Sequence, residues 1–303
     1  MNLKNIGIFY NGSYLLQGNQ IERCKKSVEL KVNTTELLLR SDKKEIDLEG
    51  IKKIYNGKIL FHIPTINPDL SNLKIINEMV RQLKESGIEL ITINASNLSI
   101  DLFEWSTLEE QKKYFLNIVT AIATLASNKI EVAVDNLKYN ENNAFFGSDI
   151  AQITDIIIYS RKMLVRDFGF KEEMAKNYIG LSLNVDNINT ESQKESLENW
   201  MEVFSDSIKC IKINNFNNVD NINKILKYNN NYIILLKTNS DLDEIDNEYI
   251  SLVNIIDKDS VIEMKKTTLK EIKSNQKMTN YIILGMILAT IIIICMMFIL
   301  KLR

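Results

Sequence analysis

The chain has 303 residues with 37 basic and 39 acidic side chains. It is too evenly charged to hold a polyanion, because affinity for nucleic acid comes largely from clustered Lys and Arg. Its three cysteines, Cys24, Cys210 and Cys295, have neither the paired spacing of a zinc site nor the density of a disulfide framework, and fit a reducing compartment. A single histidine, His62, leaves no material for a His-rich metal centre.

From the N-terminus, MNLKNIGIFYNGSYLL holds Lys4 but no sustained apolar stretch and no small-residue cleavage site, so no signal peptide is read there. Short β-branched or apolar runs then alternate with longer amphipathic ones. Strands are predicted over 6–10, 35–39, 58–63, 89–94, 131–135, 180–185, 210–214 and 232–237. Helices are predicted over 20–31, 70–86, 108–128, 149–168, 193–204 and 222–228. Leu73, Ile76, Met79, Val80 and Leu83 recur at helical spacing, whereas Leu90–Thr92 and Val132–Val134 are continuous apolar runs. Such runs between amphipathic helices mean a parallel sheet covered by helices.

Eight βα units in about 250 residues is the arithmetic of a (β/α)8 TIM barrel. The competing doubly wound open sheet often carries a glycine-rich phosphate turn after its first strand. Here the first strand leads into Asn11-Gly12-Ser13 without one. A last helix over 241–257 would close the barrel, giving a domain over 1–258 and a Lys-rich juxtamembrane connector over 259–280.

Residues 281–300, YIILGMILATIIIICMMFIL, are uncharged and long enough as a helix to cross a hydrocarbon core of about 30 Å. Lys258, Lys265, Lys266, Lys270, Lys273 and Lys277 precede this stretch, and only Lys301 and Arg303 follow it. The positive-inside rule therefore expects a single-pass cell-membrane protein with its barrel in the cytoplasm. Gly285 and Ala289 form a small-xxx-small pair that would let two such helices pack closely, although such pairs are often incidental.

In a barrel, chemistry gathers at the C-terminal strand ends. The residues there are Asn11, His62, Asn94, Asp135 with Asn136, Asn184 with Asp186 and Asn187, Lys212 with Asn214 and Asn215, and Lys237. Trp105, in the loop over 97–107, and Phe145-Phe146-Gly147 are read either as lids and docking patches or as aromatics packed on the barrel top. Trp200 reads as core.

The order of these residues resembles the xylose-isomerase-like barrels, the superfamily of sugar isomerases, epimerases and endonuclease IV. His62-Ile63-Pro64-Thr65-Ile66-Asn67 is similar to the third-strand H-x-P…N segment, Val134-Asp135-Asn136 to the fifth-strand E-N, Gly180-Leu181-Ser182-Leu183-Asn184 to the sixth-strand G-l-x-x-D, and Lys212-Ile213-Asn214-Asn215 to the seventh-strand H-l-x-D. The resemblance covers residues 1 to about 258 and implies divalent metals held by Glu, Asp and His at the strand ends. The departures bear on that metal. Asn94, Asn184, Asn187 and Asn215 stand where carboxylates or histidines are expected, Asp135 replaces a Glu, and Lys212 and Lys237 replace a His and a Glu. Asn is a poor ligand for a transition metal and a protonated Lys is none. No cofactor is expected.

The ligand-binding candidates are therefore His62, Asn94, Asp135, Asn184, Asp186, Lys212, Asn215 and Lys237. Lys212 and Lys237 either pair with Asp135 or Asp186 and fill the pocket, or hold an anionic small molecule such as a phosphorylated sugar, or act chemically. The leading expectation is a membrane-tethered pseudoenzyme, a binding or assembly module with a protein partner and no nucleic acid. The alternative is a metal-independent isomerase, epimerase or lyase acting on a small anionic carbohydrate. In it Lys212 or Lys237 would be base or electrophile, assisted by His62 and Asp135.

Overall fold

The computed structural model describes residues 6–10, 20–39, 47–64, 66–67, 69–96, 104, 106–138, 146–188, 195–213, 219–228, 232–238, 249–250 and 253. Eight parallel strands close into a barrel in chain order. They are β1 (Ile6–Tyr10), β2 (Thr34–Leu38), β3 (Lys58–Ile63), β4 (Leu90–Asn94), β5 (Glu131–Asp135), β6 (Ile179–Asn184), β7 (Ile208–Ile213) and β8 (Ile233–Thr238). β8 returns to β1 in continuous register from Ile6 opposite Ile234 to Tyr10 opposite Thr238. The expected TIM barrel is present, and each predicted strand lies within two residues of an observed one at either end.

The connecting helices are α1 (Gln20–Glu29), α2 (Leu48–Ile54), α3 (Leu73–Glu85), α4 (Leu108–Ala126), α5 (Ile150–Phe168), α6 (Glu172–Tyr178), α7 (Leu197–Phe204) and α8 (Val219–Tyr228). Their ends are written in the sequence. Thr107 and Glu110 form a reciprocal capping box at the start of α4. Asp149 caps α5 by accepting from the Gln152 N–H, and Gly169 closes that helix with φ 72°. α2 and α6 are additions to the sequence reading. Of the expected closing helix, Tyr249, Ile250 and Val253 are helical and the remainder lies outside the described residues.

The chain divides into two compact units, Met1–Ile255 and Ile256–Arg303. All eight strands belong to the first. The apolar stretch over 281–300 falls in the second, outside the described residues. Among the described residues no helix is long and apolar enough to cross a membrane.

Within the barrel, Leu60, Leu90, Ala133, Cys210, Ile233 and Leu235 form one buried apolar cluster. Because side chains on one face of a strand recur every second residue, the layer above it, toward the C-terminal strand ends, is carried by His62, Thr92, Asp135 and Lys212. The seam between β6 and β7 fixes the last of these. Leu181 pairs with Ile208, and after a one-residue shift Ser182 pairs with Cys210 and Asn184 with Lys212. A bulge of this kind turns the following side chains to the other face. Gly180 permits the close approach at that seam, since a Cβ there would lie 2.2 Å from the Ser207 carbonyl oxygen. Trp200 is fully buried, as its place in an amphipathic helix implies.

Candidate functional site

The strand pleat brings five polar side chains to one point on the barrel interior. Lys212 of β7 is wholly buried. Its ammonium lies 2.8 Å from Asp135 Oδ2 and 3.0 Å from Glu36 Oε2, and it donates to Thr92 Oγ1 at 3.1 Å. Thr92 in turn donates to Glu36 Oε1 at 2.5 Å. His62 completes the group: its Nδ1 is 2.8 Å from Thr92 Oγ1 and 3.4 Å from Asp135 Oδ2. Glu36 and Thr92 are fully buried, and His62 and Asp135 nearly so.

Two carboxylates around one ammonium explain the electrostatics. Burial works against the charged form of Lys212, but Asp135 and Glu36 outweigh it and raise its pKa above the ordinary lysine value. For Glu36, burial is the largest influence and pushes its carboxyl up; Lys212 opposes this and the Asp135 charge adds to it. The ammonium is shared between two anions, so neither carboxylate has a full counter-charge. Below it, Cys210 donates to Ser182 Oγ at 3.2 Å, and burial pushes its thiol up to about 12. Such a thiol is an inert filler of the barrel rather than a nucleophile.

Of the residues expected from the sequence, the structure brings His62, Asp135 and Lys212 together. Asn94 stands beside them on β4, opposite Asp135, and its amide donates to the Pro64 carbonyl. Asn184 is joined to the end of β5 by the amide of Asn136, which donates to the Asn184 carbonyl at 3.1 Å and accepts from its N–H at 2.7 Å. Asp186 lies in the 3-10 turn Val185–Asn187 after β6, where its N–H donates to the Asn184 side chain. Among the described residues, Lys212 is ion-paired with Asp135 and Glu36 and not with Asp186. Lys237 is in β8, in register with Phe9, and its side chain lies outside the described residues, as do Asn215, Trp105 and Phe145. Phe146 is buried, with its ring edge-on to Phe115 at 6.3 Å, so this aromatic packs down on the barrel.

Glu36 and Thr92 were not foreseen. Reading only the strand ends passed over them, because both sit mid-strand. The available signal was Glu36 itself, an acidic residue in the apolar run Thr34-Thr35-Glu36-Leu37-Leu38-Leu39, where a charge survives burial only with a partner.

The metal implied by the resembled barrels does not fit this residue set. An ammonium lies between the two carboxylates that would have to receive a dication, and it would repel one. Among the described residues no three His, Cys, Asp or Glu side chains are placed to hold a metal ion. Beside Asn94, a cavity of about 20 Å³ is lined by Asn67, Ser96, Tyr114 and Asn117. That is room for about one water. A larger groove of about 320 Å³, near Lys52, Lys58 and Glu89, opens at the N-terminal strand ends, away from the chemistry.

Solved structures match this arrangement of strands and helices. A 3-keto-D-glucoside 4-epimerase from E. coli superposes with a TM-score of 0.56 at 12% identity, over 82% of this chain and 98% of that one. The barrel has the fold of these sugar epimerases. A D-tagatose 3-epimerase-like protein matches with a TM-score of 0.58 at 14% identity, again over 82% and 98% of the two chains. A family 2 AP endonuclease from Brucella melitensis gives 0.52 at 12% identity, over 77% and 92%. No family model matches the sequence, and no curated protein does.

Proposed function

We propose that this chain is a metal-independent barrel that binds a neutral polyhydroxylated ligand without transforming it, a pseudoenzyme serving as a binding or assembly module. The observation that carries this reading is the placement of Lys212. Its ammonium donates to Asp135 and Thr92 at 2.8 and 3.1 Å and is ion-paired with Glu36 at 3.0 Å, so its charge is held inside the site. A lysine held this firmly in its charged form is a poor base, and it cannot form a Schiff base without first losing its proton. A wholly buried ammonium is also badly placed to hold the anionic ligand expected from sequence.

The ligand class follows from the remaining valences. Asp135 Oδ1 is buried and has no hydrogen-bond partner among the described residues, so a group meeting it must donate. Two carboxylates against one ammonium disfavour an anion there. A hydroxyl of a neutral sugar supplies the donor without the charge, in keeping with the carbohydrate substrates named for the structural neighbours. The apolar stretch over 281–300 and the lysines before it support placing this module at the cytoplasmic membrane face, where a protein partner would meet it.

A second reading keeps catalysis. His62 and Asp135, with Nδ1 and Oδ2 3.4 Å apart, would transfer protons in a metal-independent isomerase or epimerase while Lys212 supplies fixed charge. Both readings meet in one experiment on the full chain in detergent micelles: thermal unfolding with neutral ketohexoses and with sugar phosphates, and NMR of the incubated sugars. The expected result is a rise in Tm with a neutral sugar, absent in Asp135→Asn, and no new epimer. Formation of an epimer that Asp135→Ala abolishes would overturn the non-catalytic reading in favour of the second.

A further inference from the structure

Thr92 has three neighbours on its hydroxyl: Glu36 Oε1 at 2.5 Å, His62 Nδ1 at 2.8 Å and Lys212 Nζ at 3.1 Å. A threonine hydroxyl has one proton to give and two lone pairs to receive. Lys212 can only donate, so it takes one lone pair. Of the two remaining neighbours, one must accept the Thr92 proton and the other must donate into the second lone pair. The carboxylate of Glu36 is the acceptor: burial pushes its carboxyl up, but the Lys212 ammonium, 3.0 Å from its other oxygen, opposes this and favours the ionised form. Nδ1 of His62 is left to donate.

A second neighbour of that nitrogen requires the same. Asp135 Oδ2, 3.4 Å from Nδ1, already accepts from Lys212 at 2.8 Å, and an ionised carboxylate has nothing to donate. Both oxygens around Nδ1 therefore call for an N–H.

We infer that His62 is held as its Nδ1-protonated tautomer, with Thr92 and Glu36 as the buried residues that position this proton. The ring then exchanges its other proton, or accepts a hydrogen bond, at Nε2. This assigns a role to two residues that the strand ends did not reveal. With Nδ1 protonated, Nε2 meets any neighbour as an acceptor, which suits a group rich in hydroxyls. Among the described residues, the groups bearing on the Nδ1 side of the ring are Thr92 of β4, Asp135 of β5 and, through Thr92, Glu36 of β2 and Lys212 of β7. The use of this tautomer rests on the binding reading above, but its presence does not.

The test needs no ligand. His62 is the sole histidine, so ¹⁵N-labelled full chain in detergent micelles gives one imidazole pattern in a long-range ¹⁵N–¹H spectrum. With the ring neutral, the wild type is expected to show the proton on Nδ1. Thr92→Val, which leaves only Asp135 Oδ2 at 3.4 Å to receive the Nδ1 proton, is expected to raise the share of the Nε2 tautomer, and Thr92→Ser to keep the wild-type share. A wild-type ring protonated at Nε2 would overturn the inference, whether or not Thr92→Val folds. An unchanged Nδ1 proton in a folded Thr92→Val would overturn the part assigned to Thr92. Neither result depends on whether a sugar binds, so failure here is distinguishable from failure of the binding reading.

Discussion

Lys212 decides what the barrel interior can do, because Glu36 and Asp135 each place a carboxylate oxygen within 3.0 Å of its ammonium. Removing one partner of a buried ionic group leaves the other charge uncompensated, which costs about 3–5 kcal/mol. Lys212→Met keeps the volume and removes the charge, and is expected to lower stability by about that amount in urea unfolding at neutral pH. The loss should shrink as the pH falls. Glu36 already takes a proton more readily folded than unfolded, and without Lys212 this preference grows. The folded state then binds the extra proton, so acid favours it. A loss that deepens in acid would count against the carboxylates as its cause. Lys212 and Asp135 were legible in the sequence because each ends an apolar run. Glu36 and Thr92 were not, because strand-end reasoning ignores a polar residue that is satisfied across the barrel axis by side chains from other strands.

At the level of elements, the seam between β5 and β6 is tied above the sheet by a side chain. The Asn136 amide gives one hydrogen bond to the Asn184 backbone and receives another, a mimic of one more rung of the ladder. Each bond contributes about 1 kcal/mol net, and the buried groups left behind cost more. Asn136→Ala is therefore expected to destabilise by about 2–3 kcal/mol in chemical denaturation, and to loosen the turn that carries Asp186. A loss below about 1 kcal/mol would show that solvent replaces the amide there. The strands were readable because a parallel barrel buries both faces of each one, leaving continuous apolar runs. α2 and α6 were not readable. α2 spans seven residues and buries Ile51, and α6 spans seven and buries Ala175. Neither is long enough to display a helical period.

For the whole molecule, fold and site were unequally legible for one physical reason. The barrel is specified by many apolar positions, each tolerant of exchange, and so survives at 12–14% identity to the sugar epimerases. The site is specified by a few polar contacts drawn from β2, β3, β4, β5 and β7, whose meeting point exists only after the barrel closes. Its polar residues nonetheless form a consistent set, in which an internal ammonium stands beside two carboxylates. The most direct measurement is calorimetric titration of Mn²⁺ into the full chain and into Lys212→Ala. The expected result is no saturable uptake by the wild type and some uptake in the variant, where the Glu36 and Asp135 carboxylates lose the ammonium between them. Stoichiometric uptake by the wild type, abolished by Asp135→Asn, would contradict the central claim that the Lys212 ammonium keeps a dication out of this site.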